Sequence, residues 1–217
     1  MRIFEDTYKH KGLRKKLIEE IEKKGITDVN VLAAINSIPR HFYLDDAFTY
    51  IAYEDRAFPI AAGQTISQPF TVAYQTCLLN PKPFEKILEI GTGSSYQAAV
   101  LSELKAQVFT IERQRKLYDL SGQTYTKKHY PTIKYFFGDG FLGLPTFAPF
   151  DKILITAAAP YIPEKLVAQL KNGGIMVIPL GEGEVQQMVR GTKINGVLTL
   201  EYFNNFSFVP MLTGKEK

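Results

Sequence analysis

The chain of 217 residues has the balance of an ordinary globular protein, with 45% hydrophobic and 22% charged residues. It has no run of about 18 apolar residues, so no transmembrane helix is predicted. Residues 1–24 lack the uninterrupted apolar stretch that a secretory signal needs, and a cytoplasmic location is the default expectation. The net charge of +4 is spread along the chain apart from a basic cluster at 10–16, so charge alone does not predict nucleic-acid binding.

The cysteine and histidine content argues against disulfides and metal chemistry. Cys77 is the only cysteine and cannot form an internal disulfide, which agrees with a reducing compartment. The three histidines, His10, His41 and His129, are scattered along the chain and do not show the spacing of metal ligands. The sequence therefore predicts no metal site.

The first third of the chain is predicted to be mainly helical. Over residues 8–48, apolar side chains recur at helical spacing, and Gly25 ends the first helical segment. Asp28 is placed to cap a second helix, which Pro39 ends. The segment 50–69 is rich in aromatic, glycine and small polar residues and has no period. Long irregular segments in compact domains are often functional.

From residue 70 the pattern changes to alternating helices and strands. Such alternation predicts a parallel sheet with helices on both faces. Near the end, two alternating segments flank Ile194-Asn195-Gly196, which predicts an antiparallel hairpin. The predicted helices are 70–80, 95–105, 113–129 and 163–170, and the predicted strands are 87–90, 107–111, 133–137, 152–156 and 174–179.

A turn with two glycines follows the first strand of this region and predicts a nucleotide-like ligand. A dinucleotide-binding turn needs a third glycine three residues after Gly93, where this chain has Tyr96. A phosphate-binding loop is excluded because no Gly-Lys-Ser/Thr follows. The remaining candidate is S-adenosylmethionine, which has no phosphates and needs glycine for close backbone approach. We therefore expect a Rossmann-like, S-adenosylmethionine-dependent methyltransferase fold, with an N-terminal helical segment and a C-terminal hairpin.

Three carboxylates follow three successive strands, so one crevice at the carboxyl edge of the sheet is expected to gather them. Glu89 lies two residues before Gly91 and is placed to meet the methionyl amine directly or through water. Glu112 ends the next strand, where an acidic residue can accept both ribose hydroxyls. Asp139 follows the third strand, where its oxygen is placed to accept from the adenine amino group.

The sequence resembles the protein-L-isoaspartate O-methyltransferase family over nearly its whole length. The most specific stretch is AYEDRAFPIAAGQTISQP (52–69), followed by LEIGTGSSYQAAVL (88–101). FDKILITAAAP (150–160) and LKNGGIMVIPLG (170–181) resemble the family's fourth and fifth strands, and FVPMLTG (208–214) resembles its terminal motif. The resemblance implies methylation of the free α-carboxylate of isoaspartyl residues, which leads through a succinimide back to aspartate.

The resemblance also implies roles for individual residues. Ser67 corresponds to the catalytic serine, and one departure from the family pattern is Ser95, which stands where a third glycine is frequent. Ser95 is expected to begin the helix and to leave binding intact. The implied substrate-cleft residues are Gln64, Thr65 and Ile66, and the implied donor-binding residues are Glu89, Gly91, Gly93, Glu112, Asp139, Gly140 and Thr213.

The chemistry fits these residues without a catalytic base or a metal. A sulfonium is a good leaving group, and a carboxylate is already ionised near neutral pH. The protein has only to hold the acceptor carboxylate in line with the methyl group and to exclude water. We therefore expect Ser67 to orient the acceptor carboxylate by a hydrogen bond. In TAAAPYIP (156–163), small residues such as Ala159 suit a peptide backbone that passes close by.

Two other functions are compatible with the sequence. One is a methyltransferase that acts on nucleic acid or a small molecule, although amine-methylating enzymes usually have Asn/Asp/Ser-Pro-Pro-aromatic where this chain has TAAAP. The other is a non-catalytic domain that binds the same nucleoside. Our prediction is a single methyltransferase domain over 1–217, with an N-terminal helical segment and substrate loop at 1–69 and a donor-binding core at 70–217. The expected partners are isoaspartyl proteins and peptides, without nucleic acid or membrane, and the expected state is a monomer.

Overall fold

The computed structural model of the protein describes residues 5–121 and 125–216. No helix in these two ranges has the length and apolarity that spanning a membrane requires. The helices are α1 (Tyr8–Lys23), α2 (Val29–Ser37), α3 (Pro69–Leu79), α4 (Tyr96–Glu103), α5 (Arg115–Ser121), α6 (Tyr125–His129) and α7 (Glu164–Gln169). The strands are β1 (Phe58–Pro59), β2 (Thr65–Ile66), β3 (Lys86–Ile90), β4 (Gln107–Glu112), β5 (Lys134–Phe137), β6 (Phe150–Ile155), β7 (Leu170–Leu180), β8 (Gln186–Ile194) and β9 (Val197–Phe206).

The N-terminal helices have the predicted boundaries. The carboxylate of Asp28 accepts hydrogen bonds from the backbone N–H groups of Asn30 and Val31, which confirms the cap of α2. After Pro39, the last part of the predicted helical range 8–48 forms two short 3-10 turns, Arg40–Tyr43 and Asp46–Phe48. Part of the predicted helix 113–129 lies outside the described residues. The described parts of this range form α5 and α6.

The segment 50–69 is held by a very short antiparallel ladder. Phe58 pairs with Ile66 and Pro59 pairs with Thr65, and a 3-10 turn at Ala61–Gly63 connects the two strands. This ladder presents the GQTIS loop (residues 63–67) at its end, immediately before α3 begins at Pro69.

The main sheet has seven strands in the order β5-β4-β3-β6-β7-β8-β9. The pairs among β5, β4, β3, β6 and β7 are parallel, whereas β8 pairs antiparallel with both β7 and β9. Asn195 and Gly196 have positive φ values of 51° and 85°, as a two-residue hairpin turn requires. The predicted fold, a mostly parallel sheet with a C-terminal antiparallel hairpin, is confirmed.

Alternating residues of the central strands bury their side chains in two different apolar clusters. In β3, Leu88 and Ile90 join one cluster, while Ile87 joins the other with residues of α4. A third cluster packs the N-terminal helices against α3 and α4, and Tyr96 belongs to it. The N-terminal segment therefore shares a core with the first helix after the glycine turn (residues 91–95).

The site is positioned by the place where the strand order reverses. β3 has β4 on one side and β6 on the other. The chain that leaves β3 runs towards β4, and the later strands are added on the opposite side of β3, starting with β6. In open α/β sheets, this switch point at the carboxyl ends of the strands forms the ligand crevice. The glycine turn and Thr156, which follows β6, lie on its two sides.

Candidate active site

A cavity with about 880 Å³ of empty space, part of it open to solvent, lies at this switch point. The glycine turn and the end of β4 form one wall, and the GQTIS loop forms another. The C-terminal segment 209–212 covers it. Of the predicted site residues, the structure brings to this first cavity Gln64, Thr65, Ile66, Ser67, Gly91, Gly93, Glu112 and Gly140.

The glycine turn is shaped by contacts that a side chain would prevent. Gly91 has φ +99°, and a Cβ added there would lie 2.6 Å from Oγ1 of Thr156. That hydroxyl is 2.9 Å from the carbonyl oxygens of both Ile90 and Gly91, so it fastens the end of β3 to the end of β6. Glycine at 91 is therefore required by the packing as well as by the backbone conformation.

Glu112 connects the glycine turn to the end of β4. One carboxylate oxygen accepts from the backbone N–H of Gly93 at 2.9 Å, and the other accepts from the backbone N–H of Gln114 at 2.8 Å. A carboxylate offers about four lone-pair positions. Two lone-pair positions of Glu112 therefore remain to accept from hydroxyl groups of a ligand in the first cavity.

Asp139 and Thr213 are placed beside the cavity and are not among its lining residues. The Asp139 carboxylate accepts from the backbone N–H groups of Phe141 at 2.9 Å and Gly214 at 2.8 Å. It therefore fastens the terminal segment over the cavity. Gly140 does line the cavity, and a Cβ there would lie 2.5 Å from Cγ2 of Ile90, so this position leaves no room for a side chain.

Glu89 is buried beneath the glycine turn and does not line the first cavity. Glu89, Thr110 and Tyr135 are register partners on β3, β4 and β5, so they form a polar row across the sheet. Burial raises the pKa of Glu89 to about 8, the nearby Thr110 hydroxyl opposes this shift, and the charge of Glu112 adds to it. Neither carboxylate oxygen has a well-formed hydrogen bond to a described residue, so the neutral acid is favoured there.

Ser95 stands where the family frequently has glycine, and it adopts the left-handed backbone conformation that glycine adopts most easily. Its φ is 70°, its hydroxyl is buried, and its backbone N–H donates to the carbonyl oxygen of Thr92 at 2.8 Å. The Tyr135 hydroxyl is near enough to the Ser95 hydroxyl to affect the pKa of Tyr135, but neither hydroxyl has a well-formed hydrogen bond among the described residues. The turn keeps its shape with serine, at the cost of backbone strain.

A second cavity opens on the other side of the GQTIS loop. Its walls include Arg56, Phe70 and the segment 205–209. The two cavities share four lining residues, Thr65, Ser67, Thr156 and Val209. Ser67 therefore stands where a group in one cavity can meet a group in the other, and no described residue hydrogen-bonds its hydroxyl.

The segment after β6 contributes different residues from the predicted one. Ala159 is fully buried and pairs with Leu180, so it does not line either cavity. Ala157 and Thr156 line the first cavity instead. Only Thr156 carried a detectable signal, because it is the one polar residue at the end of an apolar strand.

The structure brings together two of the histidines that are distant in sequence. Asp6, His10 and His41 have potential ligand atoms within 4.8 Å of one another. These atoms are already engaged, because Asp6 pairs with Arg14 at 2.9 Å and both His41 nitrogens contact oxygen atoms of Tyr53 and Glu5. The cationic guanidinium beside Asp6 also opposes a metal ion at this cluster.

The comparisons with known proteins agree on one family. The family model described as Protein-L-isoaspartate(D-aspartate) O-methyltransferase matches residues 12–217. A Flavobacterium johnsoniae relative named Protein-L-isoaspartate O-methyltransferase is 53% identical over 97% of this chain and 99% of its own length. A Pseudomonas aeruginosa relative of the same name is 41% identical over 93% of this chain and 96% of its own.

A solved structure extends this similarity to the fold and to a ligand. It is a Plasmodium falciparum protein described as a protein-L-isoaspartate O-methyltransferase in complex with S-adenosyl-L-homocysteine. It superposes with a TM-score of 0.81 at 26% identity, over 92% of this chain and 98% of that one. With a matching fold, a matching family model and relatives of full length, the chain belongs to the protein-L-isoaspartate O-methyltransferase family.

Proposed function

We propose that the protein moves a methyl group from S-adenosylmethionine to the free α-carboxylate of L-isoaspartyl residues in damaged proteins and peptides. The observation that carries this proposal is the junction of two cavities at Ser67, one lined by the glycine turn and the other by irregular segments. The methyl ester then loses methanol as the neighbouring backbone nitrogen closes a succinimide, and its hydrolysis returns aspartate in part. Repeated cycles repair the chain.

The first cavity has the features that a nucleoside sulfonium donor needs. Gly91 and Gly93 permit close backbone approach, and Glu112 has lone pairs left for ribose hydroxyls. When bound, the donor supplies a methyl group on a positively charged sulfur, which is a good leaving group. Gly140 lines this cavity, and Asp139 and Thr213 support it from beside. We propose that Glu89 acts from beneath, by supporting the turn that the donor contacts.

The second cavity takes the acceptor. Its carboxylate is ionised near neutral pH, so no residue has to remove a proton. We propose that the Ser67 hydroxyl donates a hydrogen bond to one carboxylate oxygen and leaves the other free to attack the methyl carbon. Gln64, Thr65 and Ile66 line the first cavity beside it and exclude water from the junction. Ala159 serves this cleft only indirectly, through the strand contact with Leu180.

We also propose a single domain over 1–217, in which 1–69 supplies the helical segment and substrate loop and 70–217 the donor-binding core. The apolar cluster shared by the N-terminal helices and α4 supports this division of labour within one unit. The proposed state is a monomer in the cytoplasm whose partners are isoaspartyl polypeptides, without a nucleic-acid or membrane partner. The unpaired Cys77 is consistent with that compartment.

The test is methyl transfer from labelled S-adenosylmethionine to two synthetic peptides that differ in one aspartyl or isoaspartyl linkage. We expect label on the isoaspartyl peptide alone, released by mild base as expected for a carboxyl methyl ester. Equal labelling of both peptides, or none with donor bound, would contradict the proposed acceptor. RNA and small metabolites would then be the next acceptors to test.

A further inference from the structure

Arg40 is a fully buried cation, and no carboxylate of the described residues lies within ion-pair distance of it. Its side chain is 0% exposed, and it is one of the largest fully buried side chains of the protein. A buried arginine is usually paired with a carboxylate because removing its charge from water is costly. None of the ion pairs between described residues involves Arg40, and the nearby charge of Asp55 favours the charged guanidinium without contacting it as an ion pair.

The guanidinium donates to backbone carbonyl groups at three points of the irregular segment before α3. Nε donates to the carbonyl oxygen of Ala52 at 3.0 Å, and Nη2 lies 2.9 Å from the carbonyl oxygen of Ser67 and 3.4 Å from that of Arg56. The planar guanidinium has five N–H donors in a fixed fork, so it can serve these widely spaced acceptors in one defined orientation. Arg40 therefore fixes the backbone of Ser67 relative to the start of the segment.

The same guanidinium contacts the other half of the site. Its central carbon lies 5.0 Å from the ring centroid of Tyr96, the first residue of α4. Tyr96 is buried and lines the first cavity directly after the glycine turn. One side chain thus touches the element that carries Ser67 and the helix that follows the glycine turn.

We propose that Arg40 is a positioning residue for methyl transfer, which holds the Ser67 backbone in register with Tyr96 and the glycine turn. The inference rests on the proposed function, because it concerns the alignment of the two reactants. In-line transfer is sensitive to small displacements, and a shift of about 1 Å costs on the order of 100-fold in rate. Arg40 lines neither cavity, so it acts through Ser67 and Tyr96.

The charge of Arg40 persists at neutral pH although burial lowers its pKa to about 10. A lysine at this position would keep a charge but would lose the planar fork. The variants Arg40→Lys and Arg40→Met therefore separate the charge from the geometry. A matched control is Lys152→Met, since Lys152 is also buried and its ammonium donates to the carbonyl oxygens of Leu79 and Asn80.

The experiment measures thermal unfolding, donor affinity by calorimetry, and kcat with the isoaspartyl peptide at saturating donor. For both Arg40 variants we expect kcat to fall by about 10-fold or more while the donor Kd changes by less than about 3-fold. Lys152→Met is expected to lose thermal stability and to keep kcat within about 2-fold. If Arg40→Met does not fold, Arg40→Lys decides the question.

Two results would overturn the inference. One is a folded Arg40 variant whose kcat stays within about 2-fold of the parent. The other is a control that loses as much kcat as the Arg40 variants, because the effect would then be general destabilisation. Failure of the proposed function is seen separately, since the parent protein would then not methylate the isoaspartyl peptide at all.

Discussion

The two halves of the active site are built in different ways. The glycine turn is fixed by the register of β3, β4 and β6, through Glu112 and Thr156. The GQTIS loop has only a two-residue ladder of its own, and long-range hydrogen bonds hold the segment before it. Asp55 accepts from Phe70 N–H at 2.7 Å and from Gln68, and Arg40 binds the Ser67 carbonyl group. The donor half is thus a property of the sheet, whereas the acceptor half depends on a few side chains.

The largest expected effect is a loss of donor affinity when Gly91 in the glycine turn is replaced. Gly91→Ala combines φ +99° with a Cβ 2.6 Å from the Thr156 hydroxyl, so the turn has to move. We expect donor affinity, measured by calorimetry, to fall on the order of 100-fold or more. Gly173→Ala is the control, since Gly173 also has a positive φ but has open space around it. Equal loss of affinity in both variants would contradict a specific role of the contact.

Replacing Ser67 in the GQTIS loop should reduce methylation of the peptide without changing donor affinity. Removing one hydrogen bond to a carboxylate predicts a loss of kcat/KM for the isoaspartyl peptide on the order of 10- to 100-fold in Ser67→Ala. The donor Kd should stay the same. Ser37→Ala is the control, because the Ser37 hydroxyl donates only to the carbonyl oxygen of Ala34 at the end of α2. Unchanged peptide methylation in Ser67→Ala would remove the proposed role.

Glu89 gives the donor half a distinct pH dependence of stability. Its pKa is raised from 4.5 to about 8 in the folded protein, so the folded state holds a proton that the unfolded state releases. This contribution to stability is complete below about pH 4.5 and is lost as the pH rises to about 8, by up to about 1.4 kcal/mol per pH unit.

Glu89→Gln imitates the neutral acid and should remove the Glu89 contribution to the pH dependence of the free energy of unfolding. Denaturant unfolding at pH 5 and pH 8 is therefore expected to show the variant gaining stability relative to the parent as the pH rises. A difference between variant and parent that is the same at both pH values would show that Glu89 is ionised in the folded protein.

The smallest expected effect is at Ser95. Ser95→Gly relieves the left-handed strain and removes a buried hydroxyl, but it also makes the unfolded chain more flexible. We expect a net gain of about 0.5–1 kcal/mol in the free energy of unfolding, measured with denaturant, and an unchanged donor Kd. A loss of stability would mean that the added flexibility of the unfolded chain outweighs the strain.

The same contrast explains what could be predicted from the sequence. The glycine turn and the hairpin at Asn195 were predictable because period and glycine placement are local signals. Glu89 lies beneath the turn because side chains alternate along β3, so its neighbour Ile90 faces the opposite cluster. Arg40 gave no signal, because its partners are carbonyl groups 12 to 27 residues away and every residue has a carbonyl group.

The most direct test is a crystal structure with S-adenosyl-L-homocysteine and an isoaspartyl peptide bound together. We expect the free α-carboxylate to lie at the junction of the two cavities, within hydrogen-bond distance of the Ser67 hydroxyl and facing the sulfur atom. The peptide should occupy the cavity bounded by Arg56 and the segment 205–209. A carboxylate that faces away from the sulfur, or a peptide bound outside this cavity, would contradict the account.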